Sequence, residues 1–131
     1  MKKIITSGRR KKSVAKAVLY DGNGRLRVNN FDIQTFHPEI ARLKIMEPIL
    51  LAGDIVSKVN IDVNIKGGGY INQADAARLA VARALMQFSP KLKETFLNYD
   101  RQLLVADIRV KEAAKPNHHG KARAGTQTSY R

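Results

Sequence analysis

The most regular hydrophobic pattern of the chain lies at residues 59–88. Its first part, VNIDVNIK, alternates apolar and polar side chains, which is the period of a strand with one buried and one exposed face. Three glycines follow at residues 67–69, and the next apolar side chains recur at helical spacing within an arc of about 100°. The apolar helix positions are Ala74, Ala77, Val81, Ala84, Leu85 and Phe88. The pattern predicts a strand, a glycine turn and a long helix whose small side chains let it lie close to a sheet that is covered on one side only.

Shorter strands are predicted before this unit. Residues 14–20 are predicted to form a strand in which Lys16 shares a face with Val14, Val18 and Tyr20; residues 21–24 are turn formers, and alternation resumes at Leu26 and Val28. We therefore expect residues 13–29 to form a hairpin. The segment FDIQTFH at residues 31–37 is expected to be an irregular piece at the sheet edge.

Two further helices are predicted. One starts at Pro38 and ends near Gly53, and Pro48 should bend or interrupt it. Ser89 with Pro90 should cap the other, which is short. A last apolar patch at residues 103–106 ends the pattern, so residues 1–110 are predicted to form one globular α/β domain, followed by a tail at residues 111–131.

The composition restricts the class of protein. A chain of 131 residues can bury its own core as one domain, and the absence of cysteine excludes thiolate ligands and thiol nucleophiles. No apolar run is long enough to span a bilayer, and the first residues lack the apolar segment of a signal peptide. We therefore expect a cytoplasmic protein without membrane contact.

The formal net charge of +13 is concentrated at the two ends of the chain. Residues 1–27 contain nine Lys and Arg and one acid, and residues 111–131 contain five and one, whereas residues 28–110 contain ten and nine. Charge that served solubility alone would be spread evenly. Basic ends on a nearly neutral domain indicate a protein that binds a polyanion.

Both basic ends have two interpretations. The run RRKK at residues 9–12 is either a solvated terminus or a set of phosphate ligands aimed by the following strand, which carries Lys16. Residues 111–131 contain no large aliphatic side chain, so alone they are expected to be disordered. They form either a tail without function or a segment that folds between RNA helices, where its small residues fit tight places.

The segment KGGGYINQ at residues 66–73 opens the long helix. A glycine turn at that position presents unpaired N–H groups and the positive end of the helix dipole, which together favour an anion. The segment lacks the residue spacing of a P-loop or of a dinucleotide-binding loop. It is therefore either a phosphate contact of an RNA or a turn that only allows close packing.

No catalytic or metal-binding group is predicted. His37 is expected to be a loop residue, and His118 and His119 are adjacent and face apart in an extended chain. No nucleophile has a base in its own local unit, so we predict no enzymatic activity and no cofactor.

Three blocks of the sequence together resemble one protein family. They are GRRKKSVAKAVLYDGNGRLRVN at residues 8–29, KGGGYINQADAARLAVARAL at residues 66–85, and NYDRQLLVADIRVKE with the terminal KARAGTQTSYR. They cover nearly the whole chain and resemble the small-subunit ribosomal protein S nine family in its archaeal and eukaryotic form. The chain departs from the family pattern at residues 115–121, which lack a glycine- and proline-rich run, and at Gly125, which replaces an arginine.

This resemblance implies a fold and a function. The fold is a two-layer α+β sandwich like the second domain of ribosomal protein S five, with a mixed, mostly antiparallel sheet, helices on one face and a left-handed crossover. The implied function is structural: the protein binds ribosomal RNA in the head of the small subunit beside neighbouring head proteins, and its tail reaches the tRNA in the peptidyl site. Residues expected to contact ribosomal RNA are Arg9, Arg10, Lys11, Lys12, Lys16, Lys66, Gly67, Gly68, Gly69, Lys115, Lys121 and Arg123. Residues expected to contact tRNA are Ser129, Tyr130 and Arg131.

One alternative comes from another class of protein. Metabolite kinases of the galactokinase and homoserine kinase type have a similar sheet-and-helix topology and hold phosphate near a glycine loop. They are much longer and use a serine-rich loop that this chain lacks.

Overall fold

The computed structural model describes residues 3–36 and 38–104. Within them lie five strands, three α-helices and three short 3-10 segments. The strands are β1 (Ile4–Arg10), β2 (Ser13–Asp21), β3 (Leu26–Val28), β4 (Phe31–Asp32) and β5 (Val59–Lys66). The α-helices are α1 (Glu39–Ala52), α2 (Tyr70–Phe88) and α3 (Leu92–Tyr99), and the 3-10 segments are Ile33–Thr35, Gly53–Lys58 and Arg101–Leu103.

The described strands form one mixed sheet in the order β1-β2-β5-β3-β4. Three of the four pairings are antiparallel and the β3–β5 pairing is parallel. Helix α2 packs on β1, β2 and β5, and α1 packs on α2. Along β5 the alternation predicted from the sequence is confirmed, because Val59, Ile61, Val63 and Ile65 are buried under α2. The predicted α/β class, with a mostly antiparallel sheet and helices on one face, is confirmed.

The predicted hairpin at residues 13–29 is wrong. β5 lies between β2 and β3, so β2 pairs with β5 and β1 and does not pair with β3. The hairpin joins β1 to β2 instead, through a turn at Lys11, whose φ is 54°, and Lys12. The Asn60 side chain accepts hydrogen bonds from the amides of Asn23 and Arg25, both at 3.0 Å. These bonds hold residues 23–25 against the start of β5, where the chain crosses from the β2 side of β5 to the β3 side.

Helix α2 is buried over more of its surface than the predicted arc. Ala76, Leu79, Ala80 and Ala82 are buried in addition to the predicted core positions, whereas Phe88 is half-buried. The reason is tertiary, because β1 closely approaches Ala76, Leu79 and Ala80 at Gly8, and α1 and α3 also contact the helix. The small side chains therefore allow close approach on two sides of this helix.

The remaining elements agree with the prediction in position and differ in their caps. β4 with its 3-10 turn is the expected irregular edge piece. Of the two predicted effects of Pro48, a bend or an interruption, the interruption is absent, because α1 runs through Pro48 and ends at Gly53, whose φ is 66°. The predicted cap of α3 by Ser89 is wrong, because the N-cap position is Lys91 and no side chain caps this helix. Ser89 instead ends α2, and its carbonyl accepts from the Leu92 amide at 3.0 Å. Leu103 is fully buried and Leu104 is half-buried, whereas His37, the rest of the apolar patch and the tail lie outside the described residues.

Candidate nucleic-acid interface

The sheet face opposite the helices carries exposed cations at one end. Cross-strand register places Arg9 of β1 opposite Val14 of β2, and Val14 opposite Lys66 of β5. Lys16 lies one row further along the same face and is exposed, as are Arg9 and Lys66. Diagonal neighbours on a sheet face are about 7–8 Å apart, so Lys16 is close to both other cations. Alternation along the strands directs these three side chains away from the core.

The turn between β1 and β2 extends this cluster. Lys11 and Lys12 form the turn and are both exposed. The Arg9 Nε donates to the Lys11 carbonyl at 3.4 Å, which ties the guanidinium to the turn. We name Arg9, Lys11, Lys12, Lys16 and Lys66 the basic patch. Its cations come from three strands and one tight turn, so backbone pairing fixes the positions from which these side chains extend.

The glycines after Lys66 pack directly against the β1–β2 turn. Gly68 has a φ of 69°, and a side chain there would collide with the Ser13 hydroxyl. At Gly67 a Cβ would lie 2.5 Å from the Lys12 carbonyl. Ser13 is fully buried and its Oγ donates to the Gly67 carbonyl at 2.7 Å. The structure therefore supports close packing as one role of the glycines, and this packing joins the glycine segment to the basic turn.

The N-terminus of α2 lies at the same end of the sheet. Gly69 occupies the N-cap position and no side chain caps the helix there. The helix has 19 residues, and the first-turn amides of a helix are the ones left without an intrahelical acceptor. Phosphate contact through these glycines stays a prediction beside the packing role.

Arg10 is separated from the basic patch. It follows Arg9 in β1, so its side chain lies on the helix side of the sheet. There its Nε is 3.7 Å from an Asp75 carboxylate oxygen, and the side chain is only 17% exposed. Asp75 is also 3.1 Å from Lys44 Nζ of α1. The structure gives Arg10 a role in joining β1 to α2, and its predicted RNA contact stays a prediction.

The opposite end of the open face carries an acid. Tyr20 donates a hydrogen bond from its hydroxyl to Asp62 Oδ2 at 3.1 Å. Asp62 lies opposite Val18 on one side and opposite Arg27 on the other. Sequence reasoning did not single out this pair, although both residues stand at outward positions of predicted strands. Because the carboxylate lies two cross-strand rows from Lys66, the positive charge of the face is concentrated at its turn end.

Several predicted site residues lie outside the described part of the chain. They are Lys115, Lys121, Arg123, Ser129, Tyr130 and Arg131, together with His118 and His119. Within residues 3–36 and 38–104 we find no group of His, Asp and Glu side chains that could hold a metal ion. In the same part of the chain, no helix is both long enough and apolar enough to cross a membrane.

Comparison with known proteins identifies the family. Residues 8–131 match the family described as Ribosomal protein S9/S16. The small ribosomal subunit protein uS9 of Methanococcus vannielii is 43% identical over 134 aligned positions, which cover all of both chains. Proteins of the same name from two strains of Methanococcus maripaludis are each 42% identical with the same full coverage.

These relatives agree with the archaeal form that the sequence blocks resemble. They are ribosomal proteins and not enzymes, so the kinase alternative is wrong. The match begins at Gly8 and includes the whole basic patch, the glycine segment and the terminal SYR. The chain therefore belongs to the ribosomal protein S9/S16 family.

Proposed function

We propose that this protein binds ribosomal RNA in the head of the small ribosomal subunit through the basic patch, and that its C-terminal tail contacts the peptidyl-site tRNA during translation. Its family makes it a structural constituent of the small ribosomal subunit in the cytoplasm, where RNA and other ribosomal proteins are its partners. The family role does not include the RNA site on the basic patch, the location in the head or the tRNA contact. These three statements are what we propose.

One observation carries the RNA site. The basic run at residues 9–16 and the segment beginning at Lys66 are about fifty residues apart in sequence, yet the Val14–Lys66 pairing brings them to one end of the sheet. Cations that neutralise RNA phosphates release bound counterions, which is the main source of affinity for a polyanion. Strand pairing already orders the backbone that carries these cations. Binding therefore costs less backbone conformational entropy than it would for cations on a free terminus.

The surface between the cations suits recognition of RNA shape. Val14 is 46% exposed between Arg9 and Lys66, and Ile5 is 57% exposed further along β1. These groups offer no hydrogen bonds to base edges. A flat face of cations and aliphatic groups fits the backbone of folded RNA, which proteins recognise largely by shape. A phosphate beside Lys66 is also within the reach of the amides at the start of α2, and this is the role proposed for Gly67, Gly68 and Gly69.

The tail is proposed to act in two parts. Lys115, Lys121 and Arg123 are spaced along a segment of small and polar residues and are assigned to ribosomal RNA. Ser129, Tyr130 and Arg131 end the chain and are assigned to the tRNA. The family match extends to residue 131, so the tail is part of the family pattern.

The RNA site is tested with a matched pair of double variants. Lys16→Ala with Lys66→Ala removes two charges from the basic patch, and Lys58→Ala with Lys93→Ala removes two exposed charges from elsewhere. We measure the affinity of the full chain for the head domain of small-subunit ribosomal RNA between 50 and 200 mM salt. The patch variant should reduce the slope of log affinity against log salt by about 2, because each phosphate contact contributes about 1. Equal slopes for the two variants would refute the site.

The tRNA contact is tested separately. Removing residues 129–131 should leave assembly into small subunits intact and weaken tRNA binding in the peptidyl site of purified subunits. Normal assembly with unchanged tRNA affinity would refute this contact without affecting the RNA site.

A further inference from the structure

The β4 edge of the described sheet borders a hollow of about 570 Å³, which we name the edge hollow. Two of the four phenylalanines of the chain line it. Phe36 packs against the core, whereas Phe31 is 69% exposed, more than any other aromatic side chain that the structure describes. The remaining lining residues are Val28, Asn29, Asp32 and Thr35. Ligand sites typically enclose about 300–1,000 Å³ with a mostly apolar lining, so the edge hollow has the size and lining of a binding site.

A tight hairpin between β3 and β4 holds the hollow. Its two central residues, Asn29 and Asn30, have φ values of 51° and 69°, as a two-residue turn between paired strands requires. The Asn29 side chain accepts from the Ile65 amide at 2.8 Å, and its own amide donates to the Val63 carbonyl at 2.7 Å. The hairpin is therefore tied to β5, and Phe31 projects from an ordered backbone.

Two arginines lie at the rim of the hollow. Arg27 Nη2 donates to the Asn30 carbonyl at 3.1 Å, directly before Phe31 in the chain. Arg42 Nη1 donates to the Gln34 carbonyl at 3.4 Å, directly before the lining residue at position 35. These bonds hold a guanidinium on either side of the aromatic lining.

The acids near the hollow are already engaged. Asp32 is the acidic residue of the lining, and its Oδ1 accepts from the Gln34 amide at 3.0 Å. Glu39 lies 3.5 Å from Arg42 Nη2, and because this carboxylate is 72% exposed the pair contributes little. The hollow therefore combines an aromatic interior with a rim on which cations are fixed by the backbone.

The edge hollow lies next to the end of the sheet that carries the basic patch. Ile65, whose amide the Asn29 side chain binds, is the residue before Lys66. Two strand spacings, about 10 Å, separate β4 from β5. Phe31 lies opposite the buried Val28 and so faces the helix side, whereas Lys66 faces the other side. An RNA strand on the basic patch therefore reaches the hollow by passing around the β3–β4 hairpin.

This combination of groups fits an unpaired base of an RNA. Proteins bind unpaired bases by stacking them on aromatic side chains, while cations hold the adjoining backbone. A phosphate alone would leave the aromatic lining uncovered, and an apolar protein segment would make no use of the two guanidinium groups. We propose that the edge hollow takes one unpaired base of the ribosomal RNA, stacked on Phe31, with the flanking phosphates held by Arg27 and Arg42. This rests on the RNA binding proposed above and adds a contact that is not electrostatic.

Two alanine variants of exposed aromatic residues test the stacking. Phe31→Ala should weaken binding of the full chain to the head domain of small-subunit ribosomal RNA by about 5- to 150-fold, the range for loss of one stacked base. Tyr99→Ala, which removes a ring that is 55% exposed on α3, should leave the affinity unchanged. Equal affinities of the two variants would overturn the proposal. A clear decrease in Tm for Phe31→Ala alone would also overturn it, in favour of a contact within the chain.

The chemistry of the contact is tested by two replacements of the ring. Phe31→Trp keeps an aromatic face and should bind within about threefold of the natural chain, whereas Phe31→Leu keeps only apolar area and should lose at least about fivefold. Full affinity of Phe31→Leu would refute stacking and indicate simple apolar docking. With benzoylphenylalanine at position 31 in assembled small subunits, photo-cross-links should form to RNA. Cross-links only to another protein, or only to a second copy of this chain, would overturn the proposal.

The salt dependence separates this contact from the basic patch. Stacking releases no counterions, so Phe31→Ala should lower the affinity equally at every salt concentration and leave the slope unchanged. Weaker binding by Phe31→Ala, with equal slopes for the two double-lysine variants, would refute the basic patch and support the hollow. Unchanged binding by Phe31→Ala, with a reduced slope for the patch variant, would refute the hollow alone.

Discussion

Gly8→Ala should destabilise the protein, because β1 and α2 meet through their backbones at this position. A Cβ on residue 8 would collide with the Ala76 carbonyl and would lie 2.8 Å from the Ala80 nitrogen, where ordinary contacts begin at about 3.4 Å. The obstacle is helix backbone, so it cannot rotate away as a flexible side chain can. The strand and the helix must separate by about 0.5–1 Å, a gap that loses a quarter to a half of each dispersion contact across it.

The cost of this separation can be placed within a range. Overpacking of a close contact typically costs about 1–3 kcal/mol, and the shift also strains the bond from Thr6 Oγ1 to the Ala80 carbonyl, which is 2.7 Å long. For a domain of this size the loss corresponds to a decrease in Tm of about 5–15 °C. The assay is thermal unfolding of the full chain followed by circular dichroism.

Gly69→Ala is the matched control. Its Cβ meets nothing within 4 Å, and its φ of −84° suits any residue. It should change the stability by less than about 1 kcal/mol, because alanine restricts the unfolded chain but is a poorer N-cap residue than glycine. A Tm for Gly8→Ala within 1–2 °C of that for Gly69→Ala would refute the close-approach argument, since both variants add one methyl group to a glycine.

Two further changes have defined outcomes. Arg78 is 12% exposed, and its Nη2 lies 2.6 Å from Glu47 Oε2 and 3.0 Å from Asp100 Oδ2. Arg78→Ala leaves both carboxylates without this partner. It should lower the free energy of unfolding, measured in urea, by about 2 kcal/mol. Arg78→Lys should lose less because it keeps the charge, and equal losses for the two variants would contradict the ion-pair argument. Tyr20→Phe removes the bond to Asp62 Oδ2 and should cost about 1 kcal/mol by the same method, and an unchanged free energy of unfolding would mean that the bond contributes nothing.

Local patterns were sufficient for β5 and for the presence of α2. The alternation at residues 59–66 is visible in the sequence because each outward side chain is polar and each inward one is Val or Ile. The same logic could not identify β1, whose inward positions include Thr6 and Gly8 in place of large apolar residues. Only the packing of α2 explains these two residues. Thr6 donates to the Ala80 carbonyl, and Gly8 lacks the Cβ that would collide with the helix.

Local sequence patterns did not show which strands pair with each other. Turn formers at residues 21–24 indicate that the chain changes direction there, but not that β5 is inserted before β3. β2 pairs with the eight-residue β5, which offers a longer ladder of hydrogen bonds than the three-residue β3. The hairpin was therefore misassigned, although the strands on both sides of it were located correctly.

The sequence identified the basic residues of the candidate site but not which of them lie together on one face. Sequence alone determined that the charge is concentrated at the ends, that Lys16 shares a strand face with Val14, and which family the blocks resemble, because these properties depend on residue type and spacing. Only the tertiary structure decided that Arg9 joins Lys66 on one face while Arg10 is turned to Asp75. The physical reason is that β-sheet pairing joins residues distant in sequence, and its register assigns each side chain to one face or the other.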